Sequence, residues 1–208
     1  MRTFIYVDGF NLYNRALIKT QFKWLDLRSL CTWLLDSANQ IEEIKYYTAR
    51  VSGRRDPDQP TRQNAYLRAL KTLPGLSIYY GRFLPKISNR PLVRPIPDLP
   101  KYVDVHSTEE KGSDVNPASH LIWVGARNAF GVAVVISKDT DLVEPIRIVR
   151  HEMGKPVGVL CPDGACPPHL AAVASFVRHI NDTVLAARQF PSTVRTHAGR
   201  EIHKPRVW

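Results

Sequence analysis

"FIYVDGFNLY", residues 4–13, sets an apolar run directly against one carboxylate, Asp8, which Gly9, Phe10 and the amide Asn11 follow. A short run of aromatic and β-branched residues reads as a strand buried on both faces. Asp, Gly and Asn form turns in their own right. A strand that stops on Asp nevertheless also aims a carboxylate out from the rim of its sheet. The pattern returns in "VAVVISKDTDL", residues 132–142, where a continuous apolar run meets Ser137, Lys138, Asp139, Thr140 and Asp141.

Working outward from these two strands, the apolar periodicity alternates between the two regular structures. Further strands are expected at 43–51, 76–84 and 156–160, with a short edge strand at 102–106 and either a strand or more helix at 176–180. Helical patterns fill 11–18, 27–37 behind the N-cap Asp26, 61–72, 116–130 behind Asn116-Pro117, 141–153, 168–174 and 182–189. Strands alternating with helices predict an α/β fold with a mostly parallel central sheet and helices on both faces.

The chain of 208 residues suits one domain, read as 1–190, with 44% hydrophobic residues to build its core. Residues 85–101 hold Pro85, Pro91, Pro95, Pro97 and Pro100 with Lys86, Arg90 and Arg94 between them, and read as a basic, proline-rich insertion loop. Residues 191–208 carry Arg195, Arg200, Lys204 and Arg206 and read as a basic tail, with Trp208 a candidate to dock. No stretch approaches the ~20 apolar residues that a membrane span requires, so a soluble cytoplasmic protein without a membrane partner is expected. Three cysteines, Cys31, Cys161 and Cys166, argue against a disulfide framework, and their spacing is too open for zinc. The net charge of +10 favours a polyanionic partner, nucleic acid above all.

In open parallel sheets, ligands bind beyond the carboxyl ends of the strands. Asp8, Asp139 and Asp141 follow strands, and Asp114 stands beside the helix start at Asn116-Pro117. Several carboxylates gathered there would repel one another and need a cation, which Mg2+ or Mn2+ supplies. Such an ion activates water and stabilises a leaving alkoxide. An acidic pocket on a basic surface is therefore the combination a nuclease needs. Arg54, Arg55, Arg82, Lys86 and Lys138 are candidates to hold a nucleic-acid backbone, and Tyr79, Tyr80 and Phe83 are candidates to stack on bases or to pack in the core.

The stretches "YVDGFNLY" (6–13), "EEKGSDVNPASHL" (109–121) and "VVISKDTDLVEPI" (134–146) together resemble the NYN domain family, a branch of the PIN-like metal-dependent nucleases. The resemblance covers about residues 3–180. It implies a Rossmann-like PIN fold with RNA as partner and substrate. Asp8, Asp114, Asp139 and Asp141 would be the catalytic, metal-holding carboxylates. Asn11 would position Asp8 or touch substrate, Ser137 and Thr140 would buttress the later carboxylates, and Lys111 would neutralise the cluster or meet a phosphate. The expected activity is that of a divalent-metal-dependent endoribonuclease acting on single-stranded RNA, with the oligomeric state, a homodimer included, left open. Two alternatives stand beside it. One is an RNA-binding module of the same fold that does not cleave. The other is a flavin- or NAD-dependent pyridine-ring monooxygenase, as some relatives are described; the lack of a G-x-G-x-x-G fingerprint counts against this one.

Overall fold

The computed structural model describes residues 1–208 apart from 55, 95, 97–99, 113 and 114, and every strand and helix side chain but those of 109 and 110. The chain runs β1 (Arg2–Asp8), α1 (Gly9–Leu12, continued by a π-helical turn Tyr13–Leu17), α2 (Leu27–Leu34), β2 (Gln40–Ala49), α3 (Gln59–Leu70), β3 (Leu76–Pro91) and β4 (Tyr102–Lys111). It continues with α4 (Val115–Ala126), β5 (Val132–Ile136), a 3-10 turn Thr140–Leu142, α5 (Val143–Arg147) and a second π turn Ile148–Glu152. The last elements are β6 (Val157–Cys161), α6 (Pro168–Val173), β7 (Phe176–His179), α7 (Asp182–Ala187), β8 (Thr193–Arg195) and β9 (Glu201–His203).

Among the described residues the main sheet has seven strands in the order β4-β3-β2-β1-β5-β6-β7, all parallel except for β4 against β3. This is the α/β, Rossmann-like arrangement expected from the sequence. Its order reverses at β1, since β2 and β3 build outward on one side while β5, β6 and β7 build outward on the other. The crevice between β1 and β5 is thus the topological switch point, where such sheets open a binding site.

The period of two along each strand sorts the core into two layers. Ile5 and Val7 of β1, with Val132, Val134 and Ile136 of β5, face the layer that also holds Leu17, Trp24, Leu30, Tyr66 and Leu70. Phe4, Tyr6, Ala133 and Val135 face the opposite layer, where Leu121, Phe130, Ile146, Val149 and Leu170 pack. Every residue of β5 and β6 is buried, which accounts for their unbroken apolar sequences. At about 25 cal/mol per Å2 of buried apolar surface, these two layers are the main source of stability.

The proline-rich segment differs from the expected loop. β3 pairs with β2 only from Leu76 to Gly81; from Arg82 to Pro91 it pairs antiparallel with β4, whose far end is Lys111. The result is a two-stranded ribbon, largely exposed on both faces, extending past the sheet. Among the described residues the strand beyond Gly81 has a neighbour on one side alone, and an edge-like ribbon tolerates prolines such as Pro85 and Pro91. The C-terminal segment also has more structure than a tail. β8 and β9 form a hairpin that buries Val194 and Ile202 in the first layer, and Trp208 packs edge-on to Trp24 and Tyr66, with ring centroids 6.3 and 5.8 Å apart. Among the described residues no helix is long and apolar enough to cross a membrane.

Candidate functional site

At the switch point the two strand ends are laced together. Asp8, 6% exposed, caps α1: its Oδ1 accepts the Asn11 N–H at 3.0 Å. Its Oδ2 accepts the Ser137 hydroxyl at 3.0 Å, and Ser137 Oγ in turn accepts the Asp139 N–H at 3.0 Å. Asn11 Oδ1 accepts the Lys138 N–H at 3.0 Å, and Asp139 Oδ1 accepts the Asp141 N–H at 3.0 Å, starting the 3-10 turn that Thr140 opens. Asp8, Asn11, Ser137, Lys138 and Asp139 thus form one hydrogen-bonded constellation, built from residues more than 120 positions apart. The Lys138 ammonium turns away to Asp163 at 2.6 Å. Burial pulls the Asp163 carboxyl up, but Lys138 and the Ala165 N–H outweigh it and hold the group below the usual carboxylate range.

The remaining sequence candidates scatter. Asp114 and Arg55 lie outside the described residues. Arg54 and Arg82 line a shallow depression with Arg50, Tyr80 and Phe83. Lys86 sits on the outer ribbon opposite Ser107, and Lys111 closes β4 opposite Arg82. Tyr79 stacks on Tyr47 with centroids 5.2 Å apart and so belongs to the core, while the exposed Tyr80 carries the Arg50 guanidinium over its ring at 5.0 Å. Phe83 meets Phe10 edge-on at 5.5 Å.

Beside the constellation, on the first core layer, a cavity of about 230 Å3 opens between α1 with its π turn, the end of β2, and α3. Tyr13, Tyr46, Tyr66 and Trp208 supply aromatic wall, with Tyr46 and Tyr66 edge-on at 6.4 Å and 83°. Gly9 lets Tyr46 reach this position: a Cβ there would stand 2.6 Å from the phenol tip of Tyr46 and 2.7 Å from the Tyr47 carbonyl oxygen. Burial, then the charge of Asp8, pushes the Tyr46 phenol up, and burial likewise raises Tyr66 and, against the pull of Arg62, Tyr13. All three therefore stay protonated near neutral pH and act as hydrogen-bond donors rather than bases. Tyr66 spends its hydroxyl on the Leu25 carbonyl at 3.0 Å. Gln63 bridges the Val51 N–H and the Ala49 carbonyl, fixing the rim where β2 ends. Arg62 pairs with Asp56, whose carboxyl that contact holds down.

Sequence reasoning did not single out this cavity. Its lining comes from five separated segments, and Trp208 reads only as a residue that docks. What marks the cavity is the π turn at Tyr13–Leu17, an irregularity that tends to accompany function but is visible only in the structure.

Comparison with known proteins bears on the chemistry. No family model matches the sequence. The chain is 29% identical over 238 aligned positions to the 6-hydroxy-3-succinoylpyridine 3-monooxygenase HspA of Pseudomonas putida (strain DSM 28022 / S16), an alignment covering 100% of this chain and 75% of that protein. A crystal structure of a protein of unknown function from Vibrio parahaemolyticus RIMD 2210633 superposes with a TM-score of 0.55 and 18% identity, covering 86% of this chain and 93% of the other, and supports the fold alone.

The relative overturns the expected activity. A monooxygenase is an oxidoreductase, and its named substrate is a substituted pyridine. The reading of this chain as a metal-dependent endoribonuclease, a hydrolase charged with Mg2+ or Mn2+ by Asp8, Asp114, Asp139 and Asp141, is corrected accordingly. The structure gives a physical reason for the misreading. Asp8 and Asp139 accept N–H and hydroxyl donors as helix caps, which is another reason for a strand to end in Asp. Among the described residues no three His, Cys, Asp or Glu side chains gather as a metal site would require. The missing G-x-G-x-x-G argues against a dinucleotide-binding turn alone and leaves other oxidoreductase chemistry open.

Proposed function

We propose that this protein is an oxidoreductase that inserts one atom of dioxygen into a hydroxylated pyridine-type ring. The observation that carries the reading is the similarity to the P. putida enzyme over the whole of this chain and 75% of that protein. The cavity supports it, since about 230 Å3 walled by aromatic rings and protonated phenols suits one small planar heterocycle. The resemblance of the three sequence motifs to a family some of whose members are described as pyridine-ring monooxygenases points the same way.

In this reading the heterocycle lies between Tyr13, Tyr46 and Trp208. The phenols of Tyr13 and Tyr46 donate to the ring oxygen and so fix which edge of the ring faces the wall. The reaction needs two electrons and two protons besides dioxygen: one oxygen atom enters the ring and the other leaves as water. A flavin or nicotinamide is the usual class of electron donor. The residues at the end of β1 do not fit a resident dinucleotide: the Asn11 N–H is already taken by Asp8, and a carboxylate stands where a pyrophosphate would need donors. The cavity is also too small for a flavin and a substrate together. The roles left to this chain's own residues are therefore to bind, orient and desolvate the heterocycle.

The test is aerobic incubation of the pure chain with 6-hydroxy-3-succinoylpyridine and, in separate reactions, NADH alone and NADH with a flavin and a flavin reductase, under 18O-labelled dioxygen. Mass spectrometry should find one labelled oxygen in the product. A product without label, or no turnover with any donor, would remove the reading.

A further inference from the structure

Among the described residues two cations line the cavity, and their situations differ. The Arg62 guanidinium is pinned by Asp56 across the rim, so its charge is already answered. Lys23 also lines the cavity, half-buried on the segment between the π turn and Trp24, and among the described residues it makes no ion pair. An unanswered ammonium beside aromatic wall attracts an anion more strongly than a fully solvated lysine does, because the low-dielectric wall screens it less. Among the described residues the acidic side chain that lines the cavity is Asp56, and it is engaged by Arg62. The cavity therefore has an apolar, aromatic body and one cationic corner.

We propose that Lys23 is a specificity-determining residue that selects aromatic heterocycles bearing a carboxylate, receiving that carboxylate while the ring lies against Tyr13, Tyr46 and Trp208. The proposal rests on the reading of the cavity as the substrate site. It assigns the recognition of the acid group to one side chain and excludes Arg62 from that role. It also orients the ligand, since the carboxylate is held at Lys23 while the ring meets the aromatic wall.

The experiment is equilibrium binding by titration calorimetry on the full chain, with 6-hydroxypyridine-3-carboxylate and the uncharged 2-hydroxypyridine as probes. Wild type should bind the carboxylate about fivefold more tightly, the factor that an ion pair worth about 1 kcal/mol gives. Lys23→Gln should lose that advantage while holding the uncharged ring within about twofold, and Lys23→Arg should keep most of it. Equal affinity of wild type for the two probes, no binding of either, or a Lys23→Gln variant that keeps the preference would overturn the proposal. Turnover is measured separately. A Lys23-dependent preference without oxygenation would sustain this inference and sink the monooxygenase reading, whereas oxygenation without the preference would do the reverse.

Discussion

Single atoms decide the geometry at the end of β1. Gly9→Ala would drive a methyl group into Tyr46 and the backbone of Tyr47, and the backbone cannot swing aside. Overpacking of this kind costs about 1–3 kcal/mol, and it should appear as a lower urea midpoint at unchanged slope, with weaker binding of 2-hydroxypyridine as Tyr46 is displaced. Ser137→Ala removes one donor to Asp8 and the acceptor of the Asp139 N–H, so a loss of about 1–2 kcal/mol is expected from the same measurement. The thiols give a third expectation. Burial pushes Cys31 up to about 12; it raises Cys161 too, helped by the contact with Cys166, while Cys166 is half-buried. Iodoacetamide at pH 8 should therefore modify the native protein once, at Cys166, and the urea-unfolded protein at all three cysteines; rapid labelling of Cys31 in native protein would contradict this packing. At this scale the sequence was legible in part. Asp8, Asn11, Ser137 and Asp139 were found because strand ends in parallel sheets converge, but whether a terminal carboxylate caps a helix or awaits a ligand is decided by its donors, which the sequence does not display.

Among the elements, those buried on both faces were the easiest to foresee. The continuous apolar runs of β1, β5 and β6 leave little choice of structure, and the cap Asp26 marks a true helix start, whereas Asn116, expected as a cap, lies inside α4, which begins at Val115. The strands expected at 76–84 and 102–106 lie within β3 and β4, but the outer run of β3 through Pro91 was missed, because proline density argues against strands in general but only weakly against a strand with one free side. The C-terminal hairpin was missed because its two buried residues, Val194 and Ile202, are too few to make a period. That hairpin carries the chain to Trp208, a wall of the cavity. Trp208→Ala should cost about 2–3 kcal/mol, at the low end for a tryptophan because the ring is only half-buried. It should weaken binding of both 6-hydroxypyridine-3-carboxylate and 2-hydroxypyridine together, unlike Lys23→Gln; selective loss of the charged probe would mean that the ring is not stacking on Trp208.

For the molecule as a whole, titration sets the range of pH in which the fold survives. Tyr6, Tyr46, Tyr47 and Tyr66 all have phenols raised above the ordinary 10.0, chiefly by burial. The folded state holds these protons more tightly than the unfolded one, so stability is intact below pH 10 and falls as the pH climbs above it. His120 works in the opposite sense. Burial, then Lys45, lowers it from 6.5, so the unfolded chain binds that proton first and stability declines as the pH drops below 6.5. Urea midpoints from pH 5 to 11 should trace a plateau with both shoulders, and His120→Asn should flatten the acidic one; an acidic shoulder unchanged in that variant would assign it to other groups.

The double-sided exposure of the β3–β4 ribbon has a dynamic consequence. Two strands with water on both faces are marginal by themselves, so the ribbon's stability must come from its root, where Leu76 to Gly81 joins the parallel sheet. Amide protons from Arg82 outward should exchange with deuterium through small local openings, while those of β1 and β5 wait for the entire chain to come apart. One polypeptide would then keep two clocks, a fast one in the outer ribbon and a slow one in the buried sheet, with Gly81 marking where one gives way to the other.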